Sequence, residues 1–257
     1  MFEDTFLTIK GCKIRFRRHG TGPVVLYLHG ANGVPKVQPF LFELAKSFDV
    51  IVPEHPGFGE SDEPSWLENM QDLVYFYLDL MDQLHLEHVH VIGSSLGGWL
   101  AMELALRQPS RFSSLTLIGA AGIRIPEAQP GDIFLWSPEK AAQKTFKNPA
   151  LVAWAIDNPL DQDTTLKNRH TCALLAWAPR LHNPMLAKWL HRLTMPVQLV
   201  WGEDDEIMPL PYAHALQKLI SQSLLSVYPN CGHLPQVEKS EEFVELVTHF
   251  ISKVAQS

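Results

Sequence analysis

Cysteine is scarce in this chain: three in 257 residues, Cys12, Cys172 and Cys231, far apart and odd in number. That spacing offers neither a disulfide framework nor the paired ligands of a structural metal site. Basic runs are absent as well. Lysine and arginine number 21 against 28 aspartates and glutamates, a formal charge of -7, which argues against nucleic acid as a partner. Arg15, Arg17 and Arg18 alternate with apolar residues, as on the exposed face of an early strand. No apolar run is long enough to cross a bilayer, and Met1-Phe2-Glu3-Asp4 lacks the basic start and apolar stretch of a secretory signal. The composition therefore predicts a protein of the reducing cytoplasm without stable membrane association. Repeats and low-complexity tracts are missing too.

Hydrophobic residues make up 46% of the sequence, enough for one domain with a full core. Thr5 to Ile9 and Lys13 to Arg18 alternate like an antiparallel pair joined through Gly11. Val24–Leu28 and Val50–Val52 are continuous apolar runs, the pattern of strands covered on both faces, and Val89–Ile92 and Leu115–Ile118 read as further strands, the first of them buried. Helical spacing separates them at Pro39 to Ser47, Leu67 to Leu84 and Gly98 to Leu106. The alternation predicts a mostly parallel sheet with helices on both faces. After Gly122 the rhythm breaks. Residues 124–193 carry seven prolines, from Pro126 to Pro184, and Trp136, Trp154, Trp177 and Trp189, with only short helical patches and no buried strand. Strands and helices resume at Val197–Trp201, Tyr212–Ile220, Leu224–Tyr228 and Glu241–Val254. The layout predicts an α/β core of residues 1–123 and 194–257, with residues 124–193 inserted as a helical cap.

The chemistry centres on Gly93-Ser94-Ser95-Leu96-Gly97. A serine wedged between a strand and a helix sits on a tight turn whose neighbours must be small. Glycines two before and two after Ser95 meet that need and hold its hydroxyl out at the carboxyl end of the sheet. Ser94 would need glycines where Ile92 and Leu96 stand.

A serine hydroxyl requires a base, and the base an orienting group. Of 12 histidines, His214 and His249 fall within helices, and His85, His88 and His90 flank or occupy a strand. His233 lies in Gly232-His233-Leu234-Pro235, directly after the last strand, and is the candidate base. The acid is expected after Val197–Trp201, where Glu203, Asp204, Asp205 and Glu206 stand together. The order serine, acid, histidine is that of a triad on a parallel α/β sheet. The backbone N–H of Leu96 is one candidate oxyanion donor. The N–H of Ala31 in His29-Gly30-Ala31-Asn32-Gly33 is the other.

These motifs, with Pro56-Gly57-Phe58-Gly59-Glu60-Ser61-Asp62 and Gly232–Glu238, resemble the α/β-hydrolase superfamily over nearly the whole chain. The resemblance implies the acid at the G-x-x-D position, Asp205, and a turn at Pro56–Asp62 that shapes the fold. It implies acyl transfer through Ser95 with no metal and no organic cofactor, because dehalogenase and epoxide-hydrolase relatives carry aspartate at that position. Two enzyme readings follow: a carboxylesterase for small to medium apolar esters, and a carbon–carbon hydrolase of ring-cleavage diketones. The partner in either case is a small ester or ketone. Carbon–carbon hydrolases typically place an aromatic residue after the histidine, where this chain has Leu234. The cap tryptophans, with Trp136, Trp154 and Trp177 foremost, are expected to line an apolar pocket beside Asn32, and Arg180 is the candidate for a substrate carboxylate. A small-ligand receptor on the same fold is the non-enzymatic alternative.

Overall fold

The computed structural model describes residues 2–34 and 36–255. Eight strands form one sheet: β1 (Thr5–Ile9), β2 (Cys12–His19), β3 (Val24–Leu28), β4 (Asp49–Pro53), β5 (Val89–Ser94), β6 (Phe112–Ile118), β7 (Val197–Gly202) and β8 (Ser223–Tyr228). Their order is β1-β2-β4-β3-β5-β6-β7-β8, with β1, β2 and β4 paired antiparallel and every later pairing parallel. Helices α1 (Pro39–Leu44), α2 (Met70–Gln83) and α3 (Leu96–Arg107) connect the first six strands. Between β6 and β7 the chain leaves the sheet for α4 (Pro138–Thr145), α5 (Pro149–Asp157), α6 (Gln162–Ala176) and α7 (Leu186–Trp189). Then α8 (Pro211–Leu219), α9 (Pro235–Glu238) and α10 (Ser240–Val254) complete the fold.

The apolar runs are continuous because two cores claim alternate residues of the same strand. Leu26 and Leu28 of β3 pack with α2 and α3 on one face. Val25 and Tyr27 pack with α1 and α10 on the other. Strand β5 divides in the same way, Val91 to the first core and Ile92 to the second. Side chains that alternate across a strand must both be apolar when helices cover both faces.

Local signals set the helix ends. The Asn69 side chain accepts from the N–H groups of Gln71 and Asp72, and Asp72 accepts from the Asn69 N–H, a complete capping box for α2. The sequence patterns above do not mark helix α4, whose apolar side chains are only Pro138, Ala141 and Ala142; Ser137 caps it by accepting from Lys140 N–H at 3.3 Å.

Two of the early arginines are a correction. Arg15 and Arg17 are buried, not on an exposed face; only Arg18 is substantially exposed, paired with Asp49. The loops after β3 and β4 fold across β2. There Arg15 pairs with Glu54 and Glu60, Arg17 pairs with Asp4, and both donate to the Val34 carbonyl. A buried guanidinium is tolerable only with such partners.

The 54–62 loop also holds α6. Gly57 O accepts from Thr171 Oγ1 at 2.6 Å, Gly59 N–H donates to Asn168 Oδ1 at 2.9 Å, and Lys167 Nζ donates to the Gly59 carbonyl at 2.9 Å. A Cβ at Gly57 would come 2.4 Å from Thr171 Oγ1, so the glycine permits the approach. Among the described residues no helix is long and apolar enough to cross a membrane, and no group of three or more His, Cys, Asp or Glu side chains could hold a metal ion.

Candidate active site

Ser95 stands between the end of β5 and the start of α3 with φ 54° and ψ −112°, a conformation that L residues adopt only under constraint. The constraint is visible on both sides. Ser95 N–H donates to Ile118 O at 2.8 Å, and its carbonyl accepts from Ala121 N–H at 3.1 Å. A Cβ at Gly93 would lie 2.5 Å from the Gly97 oxygen, and one at Gly97 would lie 2.1 Å from the Leu28 oxygen. The two glycines of the motif are thus steric requirements of this turn.

His233 follows β8 in the loop before α9, and Asp205 follows β7. His233 Nδ1 lies 2.8 Å from Asp205 Oδ2, and both side chains are almost wholly buried. A carboxylate only accepts, so Nδ1 carries the proton and Nε2 is left as the acceptor. The other oxygen, Asp205 Oδ1, accepts from the N–H groups of Ile207 and Met208, each at 2.8 Å. The carboxylate is therefore fixed in plane as well as in place. Gly119, at φ +49°, floors the pair: a Cβ there would sit 2.8 Å from the His233 ring. The neighbouring acids lie outside it. Glu203 is exposed, Asp204 pairs with Lys147 at 3.4 Å, and Glu206 pairs with Lys144.

The loop after β3 abuts the serine, with a Cβ at Gly30 only 3.2 Å from Ser95 Cβ. Two stacked imidazoles stiffen it, His29 and His55, with centroids 3.6 Å apart. His55 N–H donates to His29 Nε2 at 2.9 Å, which leaves His29 Nδ1–H to donate to the Gly30 carbonyl at 2.7 Å. Tyr77 OH pairs with His55 Nδ1, so His55 Nε2–H donates to His29 O at 3.0 Å. Burial pulls His29 down to about 3 and holds His55 well below its ordinary value. Both rings are neutral scaffolding at pH 7. Ala31 lies on this loop, and the Leu96 N–H, first of α3, has no carbonyl to meet within its helix.

Ser95, His233, Ala31 and Asn32 all face one cavity of ≈ 140 Å³. Its apolar wall is Ile133, Phe134, Ala141, Ile207 and Leu234, with Cys172 and Arg169 from α6. Its other end is polar. Tyr27, Ser94 and Gln236 are buried there together, Gln236 Nε2 donating to Ser94 Oγ at 3.1 Å, with Gln38 alongside.

The tryptophans and Arg180 lie elsewhere, which corrects the expected pocket. Trp136 packs its ring against Gly131, where an added Cβ would meet it at 2.4 Å. Trp154 and Trp177 are 58% and 46% exposed on α5 and at the end of α6, and Trp189 is likewise largely exposed. Arg180 pairs with Asp132 at 2.8 Å and covers the Trp177 ring at 4.3 Å. Sequence periodicity could not show which side of a short helix turns inward. Gln236 sat within a recognised motif, whereas Phe134, Gln38 and Arg169 carried no local signal.

A strand–serine–helix turn beside a buried Asp–His pair, on a largely parallel eight-stranded sheet, defines a class of hydrolase. The profile of the α/β hydrolase fold family matches residues 23–187 and 161–240, and the chain belongs to that family. A 2-hydroxymuconate semialdehyde hydrolase of Pseudomonas sp. strain CF600 is 28% identical, covering 91% of this chain and 85% of its own. A 2-hydroxy-6-oxo-6-phenylhexa-2,4-dienoate hydrolase of Burkholderia cepacia is 28% identical, covering 96% of both chains. Among solved structures, the 2-hydroxy-6-oxo-6-phenylhexa-2,4-dienoate hydrolase of Rhodococcus sp. strain RHA1 superposes with TM-score 0.83 at 22% identity, covering 98% and 99% of the two chains. An esterase of Exiguobacterium antarcticum superposes with TM-score 0.78 at 21% identity, covering 97% and 100%.

Proposed function

We propose that this protein is a serine hydrolase of small carboxylic esters, with Ser95 as nucleophile, His233 as general base and Asp205 as its orienting acid. The observation that carries the reading is the buried Asp205–His233 bond, which leaves Nε2 free to accept a proton beside the same cavity that Ser95 lines. Ser95 Oγ attacks the acyl carbonyl as Nε2 takes its proton, and the N–H groups of Ala31 and Leu96 hold the resulting oxyanion. The imidazolium then protonates the leaving alcohol. Water, deprotonated by the same nitrogen, releases the acid and restores Ser95. The segment between β6 and β7 forms the cap over this site, with Phe134 from the turn before α4 and Arg169 and Cys172 from α6 reaching the cavity. A pocket of this size suits short acyl groups.

The carbon–carbon reading has its own support. Arg169 is a cation on the cavity wall, Tyr27, Ser94 and Gln236 make one end polar, and the named relatives are hydrolases of 2-hydroxymuconate semialdehyde and of a 2-hydroxy-6-oxo-6-phenylhexa-2,4-dienoate. Leu234 in place of an aromatic side chain favours the ester. The test is kcat/KM for p-nitrophenyl acetate, butyrate, hexanoate and octanoate against a 2-hydroxy-6-oxo-dienoate, on wild type and Arg169→Gln. The ester reading expects butyrate above hexanoate and Arg169→Gln within about threefold of wild type. A dienoate preferred over every ester, and lost with Arg169, establishes the second reading. No turnover of either class leaves a receptor.

A further inference from the structure

The loop that carries His233 is bonded to the helices between β6 and β7 as well as to Asp205. His233 N–H donates to the Thr145 carbonyl, the last residue of α4, at 2.8 Å. Next to it, one carboxylate gathers donors from two distant segments. Glu238 Oε1 accepts from Gly232 N–H at 2.6 Å, and Oε2 accepts from the N–H groups of Lys147 at 2.9 Å and Asn148 at 2.8 Å. The buried Cys231 thiol adds a weak contact to Oε1 at 3.8 Å, and burial pushes that thiol up to about 12, so it stays S–H and can donate. Gly232 makes the approach possible, because a Cβ there would lie 2.4 Å from the Thr145 oxygen and 3.0 Å from Glu238 Oε1.

We propose that Glu238 is a positioning residue that locks the backbone of His233 to the α4–α5 junction, so that base and cap move as one unit. The inference rests on His233 being the base. Asp205 orients the imidazole about its Nδ1 bond, but it cannot fix where the backbone of residue 233 stands. Bonds between a carboxylate and backbone N–H groups are the stronger kind, and Glu238 makes three, to residues on both sides of the joint. Glutamine cannot replace it: whichever way the amide turns, an NH₂ faces a backbone N–H. A displacement of about 1 Å in a catalytic group can cost about 100-fold in rate.

The experiment compares Glu238→Gln with wild type in the full chain, by ester kinetics and by the low-field proton resonance of His233 Nδ1–H. Expected is a fall in kcat of about 10- to 100-fold with KM within about threefold, and loss or broadening of that resonance in a protein that circular dichroism shows to be folded. A folded Glu238→Gln protein with kcat within twofold and the resonance intact overturns the proposal. Should Glu238→Gln not fold, Asn148→Pro carries the test from the far side of the joint, since Asn148 already has φ −71°, the value of proline. Asn148→Ala removes only the side chain that caps α5; the further fall in kcat from Asn148→Ala to Asn148→Pro reads the lost N–H, and equal rates overturn the proposal. If wild type turns over no ester or ketone, the hydrolase reading fails, and the resonance alone then decides the role of Glu238.

Discussion

At the scale of single residues, four consecutive carboxylates show how environment selects one. Glu203, Asp204 and Glu206 reach solvent or surface lysines, whereas Asp205 is buried and spends both oxygens on three donors. Asp205→Asn replaces an acceptor facing His233 Nδ1 by an amide and favours the wrong tautomer. The expected loss in kcat is about 10⁴-fold, while Asp204→Asn, which breaks only a surface pair with Lys147, costs less than about threefold. Ser95→Ala is expected to lower kcat by about 10⁶-fold and Ser94→Ala far less. Steady-state kinetics on p-nitrophenyl butyrate measures all four; equal losses in the two aspartate variants would return the acid's assignment to the cluster as a whole.

Between elements, Asn168 of α6 is the most exacting contact. It is buried, accepts from Gly59 N–H, and donates through Nδ2 to the Asn32 carbonyl at 3.1 Å. One side chain thus ties α6 to the loop after β4 and to the loop that borders Ser95. Asn168→Leu fits an apolar side chain but leaves the part-buried Gly59 N–H and Asn32 carbonyl without their partner. The expected cost is about 1–3 kcal/mol in urea unfolding, because water can partly replace the lost side chain at groups that are only part-buried. Because Asn32 lines the cavity, KM is expected to rise as well; an unchanged KM would separate the clamp from the site.

Across the whole molecule, the histidine pair beneath the Ser95 loop links folding to pH. His29 and His55 titrate near 6.5 in the unfolded chain and far lower in the folded one, His29 at about 3. The unfolded state therefore binds more protons between these values, and stability drops as pH falls from 6.5 toward 3. Burial raises the Glu54 carboxyl, which eases acid stress in part by letting the folded state take up a proton there. Melting temperature against pH should decline below 6.5, and a His55→Gln variant, less stable at pH 7, should decline less steeply. An identical slope in that variant would remove His55 from the linkage.

The parallel sheet was legible because a strand covered on both faces has no polar side to write, and every such strand appears as an apolar run. Ser95 was legible for a similar reason: Gly93 and Gly97 are demanded by backbone contacts local to one turn. His233 and Asp205 stood at the ends of strands already read. Arg15 and Arg17 were misread because alternation records which side of a strand is polar, and a loop laid over that side is invisible to it. The tryptophans misled in the same way, since their apolar area said that something was covered but not what. By itself, then, the sequence determined strand order along the chain, the strained turn at Ser95 and the strand-end positions of Asp205 and His233, all properties of short segments and fixed geometry. Only the tertiary structure decided that Phe134, Arg169, Tyr27 and Gln236 share one cavity and that Glu238 joins segments 90 residues apart, because such neighbours are chosen by packing between elements, which leaves no period in the chain.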